Sequence, residues 1–318
     1  MIFMIVAFII SLLSFFTMES NSQTSDQKRA LAELKTVLYE NQKFVKVHAA
    51  EFLIWTGHSE LALKEFLSEE KLYSQEPKYR IVIWRVLAQA ETEPARKQIW
   101  LDKIYQAYQN MEAPDRTHAT ETLAKLKQPV SSLFPDATAA TLKSEDRNLQ
   151  TYALWASSLG SEILINQNRQ KFLDMVLLDS NVIISRISAF VLRQMRNLDL
   201  GQWNRLADTA LATRPDNEMY VTFLATALVT APLGADSQKL RQIDSKLLEG
   251  VWNYTQGQRN ELSLALAEKG KKDHLAVLKG ILKNKKSKGK YDASSEEGAD
   301  LRASAAYAIL KIYSREEK

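Results

Sequence analysis

Cysteine is absent from the 318 residues, and proline and glycine are scarce at 7 and 10. The first absence excludes disulfides, thiolate metal sites and a lipidated amino-terminal Cys. So few turn formers favour helices joined by short turns over a turn-rich β protein. Neither sign of charge dominates: 42 Lys and Arg face 38 Asp and Glu, a net +4. This is not the footprint of a dedicated nucleic-acid binder, so nucleic acid is set aside as a partner. Catalytic signatures are also missing, with no nucleophile elbow, phosphate loop or zinc-protease helix. The carboxylate pairs Glu69-Glu70 and Glu296-Glu297 fall in predicted turns or loops. No apolar surround is there to raise a pKa for acid–base work. The expectation is no catalytic residue, no cofactor and no metal ligand set, with a non-enzymatic role preferred.

What the chain does contain is clearest in Val47 to Leu67, VHAAEFLIWTGHSELALKEFL. Val47, Ala50 and Ile54, then Leu61, Leu63, Phe66 and Leu67, fall at helical spacing around Gly57, which suits the left-handed residue that ends a helix. Ser59 is the expected cap of the second helix. The Ala49-Ala50 step lets the two helices approach closely. Such a hairpin leaves one apolar face uncovered and needs a neighbour of its own kind.

The neighbours are in the sequence. His118-Ala-Thr-Glu-Thr-Leu123 aligns with His48-Ala-Ala-Glu-Phe-Leu53, and Ile83-Trp-Arg-Val-Leu-Ala88 lies about halfway between. Further copies start near Tyr152, Ser185, Val221, Leu262 and Leu301. The anchors recur every ~37 residues, inside the window of solenoid arrays. Val47–Leu67, Asn260–Leu282 and Asp300–Ile312 resemble HEAT-type repeats, with small residues in the first helix, Gly at its end and an Ala/Leu pattern in the second. Proteins of that kind mostly present a curved surface to a protein partner, so the resemblance implies a scaffold. Tetratricopeptide repeats compete on period, but Trp55-Thr-Gly57 does not meet their Trp-x2-Leu-Gly-x2-Tyr spacing.

Ile2 to Met18 is apolar apart from Ser11, Ser14 and Thr17, and Ser20-Asn-Ser22 offers small residues to a signal peptidase. Residues 1–22 are therefore expected to be a signal peptide, with an uncleaved inner-membrane anchor over 2–18 as the alternative. Residues 23–318 are expected to form the array. Asp26 to Gln42 reads as an amphipathic helix capping it, followed by helices at Ser59–Leu72 and Lys78–Glu91 and one opened by Pro94. Pro129 and Pro135 flank a Ser-rich break over 128–144, read as a degenerate repeat, with a hinge as the alternative. Residues 284–299 are polar and lack an apolar period, which predicts a solvated loop inside the last hairpin. Lys283, Lys285, Lys286, Lys288 and Lys290 form a candidate basic patch there, whose sharper reading is an anionic glycan or lipid site.

His48 with Glu51, and His118 with Glu121, are i,i+3 pairs at equivalent positions two repeats apart. Packed helices lie roughly 8–10 Å apart, so the two pairs should be separated by ~20 Å and share no ion. One HEAT-like enzyme class carries iron on adjacent His-Glu dipeptides, and none occurs here. Each histidine is read as satisfied by a nearby carboxylate or backbone group. The six tryptophans recur about once per repeat and are read mostly as packing. Arg80, Trp84 and Arg85 are the candidate binding surface. The resulting expectation is an all-α, right-handed α-solenoid of about seven or eight antiparallel helical hairpins, HEAT-like. It would be exported to a bacterial periplasm and act as a scaffold for an envelope or membrane protein. The alternative is a periplasmic carbohydrate-binding or carbohydrate-active protein, which a concave pocket with convergent His, Tyr, Arg or carboxylate groups would favour.

Overall fold

Helix propensity and the spacing of apolar residues decide the local structure, and punctuation residues decide where each helix begins. A computed structural model describes residues 23–283 and 295–317. In these it places α1 (Ser25–Glu40), α2 (Lys43–Trp55), α3 (Ser59–Tyr73), α4 (Tyr79–Ala90), α5 (Pro94–Gln109) and α6 (Arg116–Lys125). The short α7 (Val130–Leu133) and α8 (Pro135–Leu142) precede α9 (Arg147–Ser158), α10 (Glu162–Leu178), α11 (Val182–Met195) and α12 (Leu200–Ala212). The chain continues with α13 (Tyr220–Thr230), α14 (Ser237–Glu249), α15 (Gln256–Lys269), α16 (Leu275–Lys283) and α17 (Glu296–Glu316). No strand occurs among the described residues.

The starts obey capping chemistry. Thr24, Asp199 and Thr255 close capping boxes, and Asp146, Ser161, Asn181, Asp236 and Ser295 accept from backbone amides of their first turns. Pro94 and Pro135 open α5 and α8, where the missing N–H costs nothing. Gly57 sits between α2 and α3 at φ +88°, the left-handed conformation expected of it. Ser59 is not the cap. His58 precedes α3 without a side-chain cap bond, and Ser59 is the first helical residue.

Most helices pack on a neighbour in sequence, which is compatible with a helical repeat fold. Helices α2, α4, α6, α9, α11, α13, α15 and α17 also contact one another in succession, and α17 returns to α2. The array therefore closes into a ring. Helix α1, expected to cap a free end, is wedged between α2 and α17 instead. The seam is polar as well as apolar: Arg302 Nε donates to Glu33 at 2.6 Å, Tyr313 Oη to Asp26 at 3.0 Å and Gln27 Nε2 to Glu317 at 3.1 Å. Lys279, part of the Lys-rich run in the sequence, pairs with Asp26 across the same seam. Closure stabilises the array, because joining two open ends buries the faces that each would otherwise leave in water.

Parts of the inner layer lose solvent almost completely. All of α13 is buried, as is α4 from Ile81 to Ala88, and α17 carries a run of buried alanines at 303, 305, 306 and 308. Ala49 and Ala50 are fully buried, as a close helix approach requires. The 128–144 break is tied in place: Tyr108 Oη and Thr138 Oγ1 are 2.8 Å apart, and Arg116 reaches the Ala137 carbonyl and Thr141. No helix among the described residues is long and apolar enough to cross a membrane. The signal-peptide or anchor segment, 1–22 and 2–18, lies outside the described residues. So do Lys285, Lys286, Lys288 and Lys290, while Lys283 is exposed at the end of α16.

Candidate site: a cavity at the centre of the ring

Ring closure brings residues of seven inner helices around a cavity of about 330 Å³. Its lining comes from α2 (His48, Glu51, Phe52, Trp55), α4 (Gln89), α6 (Lys125), α11 (Phe190, Arg193, Gln194), α13 (Val229), α15 (Asn260, Leu264, Glu268) and α17 (Tyr307), with Arg196 just beyond α11. Lys125 and Arg193 stand in carboxyl-terminal turns, where a cation offsets the partial negative charge of the helix end.

One wall is aromatic. The Phe52 and Tyr307 rings stack at 4.6 Å and 8°, and Trp55 meets them at 5.8 and 5.7 Å. Trp55 is 47 % exposed at the rim, and its indole N–H donates to Gln89 Oε1 at 2.9 Å. Helix periodicity put Phe52 and Trp55 on one face of α2, but only the seam supplies Tyr307.

The remaining walls are charged, and each charge has a partner. Arg85 donates from Nε to Glu51 Oε1 at 2.7 Å and from Nη2 to Oε2 at 3.2 Å, a two-point clasp, and Gln89 Nε2 adds a bond at 2.8 Å. Lys125 pairs with Glu121 at 2.6 Å and lies 5.2 Å from the centre of the Phe190 ring. Across α13, Arg193 donates to Glu261 at 2.7 Å and to Thr226 at 2.9 Å, and Thr222 donates to the other Glu261 oxygen. Arg196 pairs with Glu268. Asp300 accepts from Asn260 at 2.9 Å and lies 2.8 Å from His48 Nδ1. These bonds form a belt around the cavity.

Burial pushes the Glu51 carboxyl up, but Arg85 and Lys125 outweigh it and hold the group at about 2. Glu121 follows the same logic: burial raises it, Lys125 and Arg85 lower it further, and the net shift is down. Burial pushes the Tyr307 phenol well up, so it stays neutral. Glu51 and Glu121 are thus fixed as anions and Tyr307 as a neutral donor. Neither carboxyl is held as an acid ready to give up a proton.

The residues expected to form a surface lie elsewhere. Trp84 and Arg85 are 7 % and 3 % exposed, so they offer no face to a partner. Arg85 is drawn into the ring by Glu51, while Trp84 packs outward under Arg80 and Lys103, at 5.6 and 5.5 Å. Arg80 is engaged by Asp115 at 2.6 Å. A helix buried from Ile81 to Ala88 cannot present that stretch as a surface, and the period of α4 alone did not reveal that both of its sides are covered. Among the tryptophans, Trp155 and Trp203 are buried, and Trp55 alone of the six lines the cavity. His48 is satisfied by a carboxylate, but by Asp300 from the far end of the chain and not by its i+3 partner Glu51. Among the described residues no cluster of three potential metal ligands occurs.

The reading of Arg85 as a surface residue and of Glu51 and Glu121 as histidine partners missed the set Glu51, Arg85 and Glu121, for which a signal was present. The aligned anchors put Glu51 and Glu121 at matching positions with Arg85 midway between, which is how opposite charges on successive helices come to interleave. No family model matches the chain, and no curated protein or solved structure is significantly similar to it.

Proposed function

We propose that this protein binds a carbohydrate in the cavity at the centre of its ring and carries out no chemistry on it. The observation that supports this most is the pairing of an aromatic wall, Phe52, Trp55 and Tyr307, with a belt of mutually neutralised charges. Sugar rings have an apolar C–H face that stacks on aromatics and an equatorial rim of hydroxyls that bond charged side chains. A belt whose ions already pair offers rigid donors and acceptors without a net charge to favour an ionic ligand. With Glu51 and Glu121 held as anions, acid–base hydrolysis lacks its acid, so binding is the reading.

A protein-binding scaffold, the first expectation from the sequence, is less well supported because closure turns the concave face inward. A protein partner would have to dock on the outer helices. The HEAT-type character of the repeats, their number of about seven or eight and their right-handed sense belong to the same proposal. So does export to a bacterial periplasm after cleavage near Ser22, which amino-terminal sequencing of the secreted protein would test. The functional test is calorimetric titration and thermal shift with a panel of neutral saccharides. Binding that Trp55→Ala abolishes without unfolding the protein supports the proposal. No saccharide bound, alongside a stoichiometric protein captured by the outer helices, would overturn it.

A further inference from the structure

The charges around the cavity are spent on one another, as Arg85 is on Glu51 and Arg193 on Glu261. Two groups beside the aromatic wall are not. Tyr307 lines the cavity with its ring stacked on Phe52, and its Oη bonds to no described residue. Burial pushes that phenol up and Glu268 pushes it further, against Arg196 and Arg315. Its hydroxyl therefore lies near the Arg196–Glu268 pair, which also lines the cavity. His48 lines it too, with its ring centre 6.5 Å from that of Phe52 and its side chain 42 % exposed. Its Nδ1 is 2.8 Å from one oxygen of Asp300, whose other oxygen accepts from Asn260. A carboxylate has no proton to give, so the hydrogen sits on Nδ1 and Nε2 of the neutral ring is left as an acceptor. No described residue bonds that nitrogen.

From this we infer that Tyr307 and His48 set the specificity of the cavity: Tyr307 Oη gives a hydrogen bond to one hydroxyl of the sugar stacked on the wall, and His48 Nε2 takes one from another. The inference rests on the carbohydrate reading above. Stacking alone discriminates little, because every pyranose has an apolar face to offer. A hydrogen bond discriminates more, since an analogue without the hydroxyl excludes water from the protein group and leaves it unpaired. A hydroxyl is donor and acceptor at once, so it suits both groups, whereas an ether or a hydrogen at the same carbon cannot donate to His48. Asp300 is a positioning residue here, fixing which ring nitrogen carries the proton. Tyr307 and Asp300 come from α17 and His48 from α2, so the two reading groups meet only because the ring closes.

The test is calorimetry of the full-length protein with the methyl glycosides of neutral hexoses and of their disaccharides, each with one hydroxyl at a time replaced by hydrogen. Against the wild type, loss of either read hydroxyl should weaken binding about tenfold, and loss of any other by less than about twofold. Tyr307→Phe keeps the stack on Phe52 and removes Oη. It should weaken the parent glycoside about tenfold and no longer distinguish it from one of the two sensitive deoxy forms. His48→Asn keeps a donor for Asp300 and removes Nε2, and should do the same for the other form. A uniform loss across the whole series would mean a packing role and overturn the inference, as would parent affinities within about twofold of the wild type in both variants. So would a wild type indifferent to every single deoxygenation, a result that counts even should a variant fail to fold. In these cases binding of the parent glycoside leaves the carbohydrate reading standing. If no saccharide binds the wild type, both fall.

Discussion

Helix α4 carries Trp84 and Arg85 into the interior, whereas α13, buried over nearly the same length, carries Thr222, Thr226 and Thr230. In α13 two of the three threonine hydroxyls donate within the helix, while Thr222 donates to Glu261 on α15. Thr226 and Thr230 each donate to the carbonyl four residues back, at 2.6 and 2.7 Å. This is a local bond that any helix can supply. In α4 the polarity reaches across three helices, with Arg85 clasping Glu51 on α2 and touching Thr122 on α6. A local bond needs only its own turn, but an interhelical ion pair needs its neighbours at fixed distances. The difference teaches that α4 itself carries a charge of the interhelical pair, whereas α13 carries none and supports the Arg193–Glu261 pair on its neighbours with threonine hydroxyls.

The sharpest way to break that comparison is Arg85→Met, which strands Glu51 as a buried anion and should cost about 3–5 kcal/mol in urea unfolding. A loss no larger than that of a threonine substitution in α13 would erase the distinction. Acid titration probes the same pair. Glu51 is held at about 2 against an ordinary 4.5, so its stabilisation is whole above pH ~4.5 and lost as pH falls toward 2, about 3 kcal/mol in all. The Glu51→Gln, Arg85→Met double variant should show a shallower acid limb than the wild type.

Smaller effects are expected in the α13 sector. Ala227 is fully buried and its carbonyl accepts from the Trp203 indole at 2.9 Å, so Ala227→Leu should cost about 1–3 kcal/mol by overpacking. Thr226→Val removes the hydroxyl that Arg193 also uses and should cost about 1 kcal/mol, read as a shift in the urea midpoint. The least effect on stability belongs to the rim. Trp55→Ala should stay within about 0.5 kcal/mol of the wild type and still eliminate saccharide binding. A marked loss of stability there would mean that Trp55 holds the seam with Tyr307 and is not a binding residue.

Much of the fold was legible in advance because helices declare themselves locally. Pro94 and Gly57 mark boundaries that the structure places where they were expected, whereas Ser59, the one cap residue named in advance, is the first residue of α3 and not its cap. The periodic anchors at His48 and His118 pointed to repeats, and the structure is all-helical with neighbour packing compatible with them. The site was not legible to the same degree. The site draws on side chains from helices far apart in sequence, which no local pattern joins. In the ring they face one another, and Arg193 on α11 reaches Glu261 on α15 past α13.

The sequence by itself determined the all-helical class, the helix boundaries and the small residues at close approaches, because each rests on interactions within a few residues. Tertiary structure alone decided that α17 returns to α1 and α2, that Trp84 and Arg85 lie inside, and that Tyr307 completes an aromatic wall begun by Phe52 and Trp55. Those outcomes depend on the accumulated rotation from one repeat to the next. That rotation is a sum of small packing angles, and no short stretch of sequence states the total.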